Sequence, residues 1–346
     1  MPASPSAVSV LICTYNRADL LRTTLASLAR SVARRPWEIL VVDNNSTDDT
    51  RGVVHAFATA SPVPVTYLFE GRQGKSNALN TGLVAARGGL IVFTDDDVEV
   101  APGWLEAAAD ALDADPSIDY TGGPVTPRWE REPPAWLDRQ RGDLWGTLAI
   151  LDYGADPFVF EDRSRVPLGV NMAVRRSLVE RIGGFHPELG RRGRLLLGQE
   201  QAEFLARARA AGARGGYVPA MRVLHFVPAS RMTKQYFRRW WYWKGVSRAL
   251  VDGMHERTEL GLDLRQVRRL GRVPQYVWGQ APREALNWIA ARLRGDRTAA
   301  MRHAMHAAYA VGYVRGCRGF APLAPVPPLP LPRAPFAPGV GVHHPA

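Results

Sequence analysis

The sequence predicts an α/β fold: a mostly parallel sheet with helices on both faces, followed by a helical, basic C-terminal extension. Three observations carry this. Short apolar runs alternate with helix-period patterns through the first half, which implies parallel strands joined by crossover helices. Polar clusters follow three of those runs, at the strand ends where open α/β sheets bind ligands. Charge is uneven as well: residues 231–346 hold 19 Lys and Arg against 6 Asp and Glu, whereas residues 1–230 hold 25 against 27.

Taken in order, Val8–Cys13 reads as a buried strand and Ala18–Arg30 as a helix. Glu38–Val42 is a second strand, closed by the polar run Asp43–Asp49. Val65–Phe69 is a third, with a helix from Lys75 to Ala86. Leu90–Thr94 is a fourth and ends in Asp95-Asp96-Asp97. Pro102, which a first helical turn tolerates, opens a helix to Leu112. Residues 120–167 are rich in Pro, Trp and Arg and read as loops over the sheet. Val170–Val174 is a strand before the short helix Ser177–Ile182, Glu200–Ala211 is a helix, and Met221–Phe226 is strand-like. Helices dominate from Lys234 to Arg315, and nine prolines in the last 26 residues mark an extended or disordered tail. The expected organisation is a catalytic α/β domain over 1–230, a basic aromatic extension over 231–320 and a proline-rich tail over 321–346.

Composition narrows the function. The 346 residues are 46% hydrophobic and 22% charged, with a net charge of +11, a folded rather than disordered balance. Two cysteines, Cys13 and Cys317, exclude a disulfide framework and a cysteine-rich zinc module. No apolar run reaches spanning length and Met1–Ala7 has no secretory pattern, so a cytoplasmic chain is expected. The basic back half points to an anionic partner: a phosphorylated substrate, a membrane face or nucleic acid. Nucleic acid would leave the acidic strand ends idle, and no nucleic-acid partner is expected.

Asp95-Asp96-Asp97 projects carboxylates into one small space, and a hard divalent cation is the usual remedy for their repulsion. Gly71-Arg72-Gln73-Gly74-Lys75-Ser76 is similar to a phosphate-binding P-loop, but Phe69 stands where the motif needs its first glycine.

Four segments, in order, resemble family 2 glycosyltransferases of the GT-A fold. Val10–Arg17 resembles their opening strand and turn, Val41–Asp48 their second-strand signature, Gly74–Gly82 their helix start and Phe93–Val98 their DxD metal motif. The likeness continues through Gly169–Ala173, Ile182–Phe185 and Val223–His225. It implies that Thr14, Tyr15, Asn16 and Asp43 hold the nucleotide base, with Lys75, Asp95 and Asp96 also in the nucleotide-sugar site. It further implies that Asp97, with Asp95 and His225, holds Mg²⁺ or Mn²⁺. The implied reaction is inverting transfer from a nucleotide-sugar donor to a hydroxyl acceptor, a saccharide or lipid-linked sugar of the cell envelope. Where relatives carry Glu-Asp and the aspartate serves as base, this chain reads Glu200-Gln201. An amide has no useful basicity, so Glu200 is the expected base and Glu203 the second candidate. That departure keeps open a non-catalytic nucleotide-sugar-binding protein, beside the weaker P-loop NTPase reading.

Arg231–Arg248 is dense in cations and aromatics. Three roles fit it: a membrane-surface helix, an acceptor-binding face, or a helix packed on the body with an arginine reaching the diphosphate. Gln235–Trp240 is similar to the QxxRW motif of processive synthases, with one residue too many. Peripheral contact with the anionic inner face of the cell membrane is expected, with Arg265, Arg268, Arg269 and Arg272 contributing.

Overall fold

The computed structural model describes residues 7–331 except 138–141, 162–163, 194 and 259–260. The first half runs β1 (Val8–Thr14), α1 (Ala18–Leu28), β2 (Trp37–Asp43), α2 (Thr50–Ala60), β3 (Val65–Phe69), α3 (Lys75–Ala85), β4 (Leu90–Asp95), β5 (Val98–Val100) and α4 (Trp104–Ala114). It continues through β6 (Tyr120–Gly122), β7 (Val125–Trp129), α5 (Gly142–Gly146), β8 (Phe158–Val159), β9 (Asn171–Arg175), α6 (Arg176–Ile182), α7 (Glu200–Ala210), β10 (Gly215–Tyr217) and β11 (Val223–Val227). After a single 3-10 turn at Ala229–Arg231 come α8 (Lys234–His255), β12 (Arg269–Leu270), β13 (Val273–Pro274), α9 (Gln275–Leu293) and α10 (Arg297–Gly319).

The main sheet has the order β3-β2-β1-β4-β9-β6-β10-β8. β1 pairs parallel with both β2 and β4, and β9 runs antiparallel between β4 and β6. From β1 the chain winds outward through β2 and β3, then returns to place β4 on the other side of β1. That reversal opens a crevice at the carboxyl ends of β1 and β4, where Thr14 and Asp95 stand. Helices cover both faces, so β1 and β2 are mostly apolar rather than alternating, with Ser9 donating to the buried Glu38 between them at 2.7 Å. Val10, Ile12, Ile39 and Val41 enter one core, and Leu11, Leu40 and Val42 the other.

A second, three-stranded sheet, β5-β11-β7, controls the site. β11 runs antiparallel to β5 with His225 opposite Val98, which sets the histidine beside Asp97. Phe226 N–H also donates to Asp97 O at 2.8 Å.

Several boundaries differ from expectation. α2 falls in a stretch without a clear signal, because only Thr50, Val53 and Val54 of that helix are buried. Residues 120–167 are not only loops; they supply β6 to the main sheet and β7 to the small one. Pro102 does not open the helix. It lies in the preceding turn, which Trp104 N–H closes onto Ala101 O at 2.9 Å, and α4 starts at Trp104. The proline-rich segment is extended as far as residue 331, with Leu329 and Leu331 against the second core and Ala324 O 2.9 Å from His186 Nε2. Residues 332–346 lie outside the described residues.

In the extension, α8 and α10 cross at glycine contacts. A Cβ on Gly245 would collide with Tyr309 O, and one on Gly312 with Tyr242 O. Replacing Gly312 by Ala should therefore overpack the crossing and lower stability by about 1–3 kcal/mol. Gly279→Ala in α9, where an added Cβ meets nothing within 4 Å, should raise it by about 0.5–1 kcal/mol. Denaturant unfolding of the two variants beside the parent checks both signs.

Candidate functional site

The crevice deepens into a cavity of about 1020 Å³, a size suited to a nucleotide-sized ligand. Eight of the ten residues singled out from the sequence line it: Thr14, Tyr15, Lys75, Asp95, Asp96, Asp97, Glu200 and His225. Asn16 and Asp43 stand beside it and bind protein instead. Asn16 Oδ1 accepts from Thr47 N–H at 2.7 Å, while its own N–H donates to Ser46 Oγ at 2.9 Å, stitching the turn after β1 to the turn after β2. Asp43 is buried and accepts from Ser46 N–H and Tyr67 OH, both at 2.8 Å.

The residue after Asp43 does more for the site. Asn44 lines the cavity and clamps the next loop: its side-chain amide donates to Arg72 O at 2.8 Å and accepts from Gly74 N–H at 2.8 Å. Gly74 has φ 142°, a conformation only glycine adopts easily. Lys75 then opens α3, with its backbone N–H donating to Arg191 O at 3.0 Å. Through these contacts the ends of β2 and α3 and the loop before α7 are locked together, and Lys75 Nζ reaches Asp95 Oδ1 at 2.7 Å. Burial opposes the Lys75 charge, but Asp95 and Glu200 outweigh it and hold the ammonium above the ordinary lysine pKa.

The three aspartates are each compensated differently. Asp96 points into the body, accepting from Thr14 Oγ1 at 2.8 Å and from Arg17 Nη1 at 2.9 Å. Burial, opposed by Arg17 and reinforced by the neighbouring Asp97 charge, pushes its carboxyl up to about 6. Each of its oxygens has a protein partner, which fixes the carboxylate at the floor of the cavity. Asp97 Oδ2 receives Arg17 Nη1 at 3.0 Å and lies 3.5 Å from Arg231 Nη2. Burial alone would raise Asp97, but His225, Arg231 and Arg17 hold it below the ordinary carboxylate range.

Asp97 Oδ1 lies 3.4 Å from His225 Nε2, yet is buried without a hydrogen bond. Three other buried cavity atoms also lack one: His225 Nδ1, Thr94 Oγ1 and Gln199 Oε1. Buried polar atoms are normally satisfied, so this clustering marks a surface shaped for something polar. Among the described residues, no three His, Cys, Asp or Glu side chains converge as a cation cage.

Glu200 begins α7 on the cavity wall, after Gln199 in a left-handed conformation with φ 69°. Glu203, the second candidate base, is elsewhere: fully buried, it accepts from Arg207 Nε at 2.6 Å and lies 3.3 Å from His255 Nε2. Burial opposes its charge, but His255 and Arg207 hold it below the ordinary glutamate range. It is a structural ion pair. Gln201 has a role that explains an amide there. Its Oε1 accepts from Gly169 N–H at 2.6 Å and its Nε2 donates to Pro167 O, pinning the loop before β9 to α7.

Sequence reasoning missed Arg17 and Arg231 as partners of Asp97. Arg231 belongs to the basic run but sits in the 3-10 turn before α8 rather than on that helix. α8 itself packs on the body: Phe237 is fully buried and Trp241 Nε1 donates to Thr147 Oγ1 at 2.8 Å. The same helix turns Trp240, Trp241 and Lys244 toward the cavity. Burial and the neighbouring Arg191 lower the Arg231 pKa, and Asp97 only partly offsets them.

The sequence profile of glycosyl transferase family 2 matches residues 9–183. Glycosyltransferase AglE of Haloferax volcanii is 28% identical over 179 residues, 51% of this chain and 55% of that protein. The glucosyl-dolichyl phosphate glucuronosyltransferase of the same organism is 24% identical over 248 residues, 71% of this chain and 77% of that one. The match to the first of these relatives thus spans about half its length. Among solved structures, a mannosyltransferase of Pyrobaculum calidifontis in complex with GDP-Man and Mn²⁺ has a TM-score of 0.60 at 21% identity. It covers 92% of this chain and 88% of that one, a likeness of fold.

The Gln201 clamp has a testable consequence. In Gln201→Glu the carboxylate still accepts from Gly169 N–H but faces Pro167 O without a proton to donate. Stability should fall by about 1–3 kcal/mol, read as a lower thermal midpoint. An unchanged midpoint would remove the clamp from the account.

Proposed function

The chain belongs to glycosyl transferase family 2, and from that premise we propose a cation-dependent, inverting transfer of a sugar from a nucleotide donor to a hydroxyl acceptor. The observation that carries the reading is the unsatisfied Asp97 Oδ1 beside His225, at the mouth of the strand crevice. One carboxylate and one imidazole suit Mg²⁺ or Mn²⁺, which takes its remaining positions from phosphate oxygens and water. Asp95, held by Lys75, stands at the ribose side of the same site. When bound, the cation offsets charge on the departing nucleoside diphosphate.

The chain's own residues do the rest. Thr14, Tyr15 and Asn44 border the nucleotide, and Lys75 orients Asp95. Arg191 and Arg231 face the diphosphate, whose negative charge relieves the repulsion between the two guanidiniums. Across the cavity, Glu200 takes the proton from the acceptor hydroxyl as that oxygen attacks the anomeric carbon from the face opposite the leaving group. Attack from that side inverts the configuration. The cavity's far half, with Arg209, Trp240, Lys244 and Arg257, suits a saccharide that carries phosphate, as a lipid-linked sugar does.

Glu200→Gln keeps the shape of the wall and removes the base. Release of nucleoside diphosphate in the presence of acceptor should fall by about a hundredfold or more, with donor affinity retained. An unchanged rate would place the base elsewhere, and no release by the parent with donor bound would leave the chain a nucleotide-sugar-binding protein.

A further inference from the structure

α9 buries one line of side chains and exposes the opposite face. Val277, Glu284 and Ala291 are its buried residues, and they fall on one side of the helix at about 100° per residue. On the far side Trp278, Pro282, Leu286, Ile289 and Leu293 share an arc of about 80°. Leu286 is 68% and Leu293 85% exposed, a degree of exposure that a stripe of this kind does not carry without a partner. Arg292 flanks the arc on one side and Arg283 on the other.

The charges around this stripe have one sign. Between Arg265 and Gly319 there are eleven arginines against two acidic residues, and both acids are spent internally. Glu284 turns inward and lies 2.7 Å from His303 Nδ1 of α10. Asp296 caps α10 by accepting from Ala299 N–H at 2.8 Å. Two of the arginines sit over indoles, Arg292 over Trp288 at 5.5 Å and Arg318 over Trp278 at 5.4 Å. The nearby β12–β13 turn adds Leu270, 64% exposed, between Arg269 and Arg272. Apolar stripe, flanking guanidiniums and indoles at the boundary together match the polarity gradient of a bilayer surface with anionic headgroups. Among the described residues, no helix is long and apolar enough to cross a membrane.

We propose that the outer face of α9, with the β12–β13 turn, docks on an anionic lipid surface. The helix lies in the interface, its stripe among the acyl chains and its arginines at the phosphates. Of the three roles open to Arg231–Arg248, α8 takes packing and the cavity wall, which leaves the lipid contact to α9 beside Arg269 and Arg272. This docking stands or falls independently of the Glu200 chemistry.

The test is flotation of the full chain with phosphatidylcholine vesicles, with and without about one third phosphatidylglycerol. Its companion is Leu286→Glu/Ile289→Glu/Leu293→Glu, whose side chains face outward and should leave circular dichroism and thermal midpoint unchanged. The parent should float with the anionic vesicles and not with phosphatidylcholine alone. The triple variant should lose about tenfold or more of its bound fraction. A parent that floats with neither vesicle overturns the proposal, as does a triple variant that floats like the parent. A parent that forms a dimer which the triple variant dissolves, without vesicle binding, assigns the stripe to a second copy instead.

Discussion

Three consecutive carboxylates at the end of β4 are the constraint around which the rest of the site is arranged. Asp95, Asp96 and Asp97 cannot share so small and buried a volume without compensation. The fold brings it from four directions: Arg17 from the turn after β1, Lys75 from the start of α3, His225 from β11 and Arg231 from the turn before α8. Each of those elements is placed by its own packing, so the electrostatic balance is a consequence of sheet topology. The balance is also incomplete. Asp97 Oδ1 keeps no hydrogen bond, and Arg191 weighs on Arg231 electrostatically although Asp97 is its ion-pair partner. We propose that a cation and a diphosphate, arriving together, complete the balance.

The departure from the usual Glu-Asp pair has a structural reading. Gln201 uses both ends of its amide to hold Pro167 and Gly169, a task that a carboxylate cannot perform. The neighbouring Glu200 keeps its side chain on the cavity wall and bears on Lys75 electrostatically. Glu203 is removed from consideration by Arg207 and His255. The three polar residues at the start of α7 therefore divide into one facing the cavity, one clamping a loop and one locked in the core.

Much of this was legible in the sequence because the central strands are buried on both faces and read as unbroken apolar runs. The polar residues that end them, Thr14 and the aspartates among them, stand out by contrast, whereas Lys75 is marked by the family resemblance. Short or half-exposed elements carried no such signal: β6 is three residues, and α2 buries only three side chains. Long-range pairings were invisible too. Nothing local ties Arg231 to Asp97, since that contact depends on β11 lying against β5. Asn16 and Asp43 stand in motif positions and also hold their neighbours, Asn16 through the turn after β2 and Asp43 through Ser46 and Tyr67. In the back half, aromatic density drew attention to α8, whereas the exposed stripe belongs to α9, where Trp and Leu are spaced more thinly but all face outward.

The central claim is that this cavity takes a nucleotide sugar together with a divalent cation held at Asp97. Calorimetric titration of UDP-, GDP- and dTDP-sugars into the full chain, with Mn²⁺, Mg²⁺ or chelator, tests it most directly. The expected result is one donor bound, with affinity lowered about tenfold or more by chelator and no cation effect left in Asp97→Ala. Binding of no donor, or binding that chelator leaves unchanged, would contradict the account.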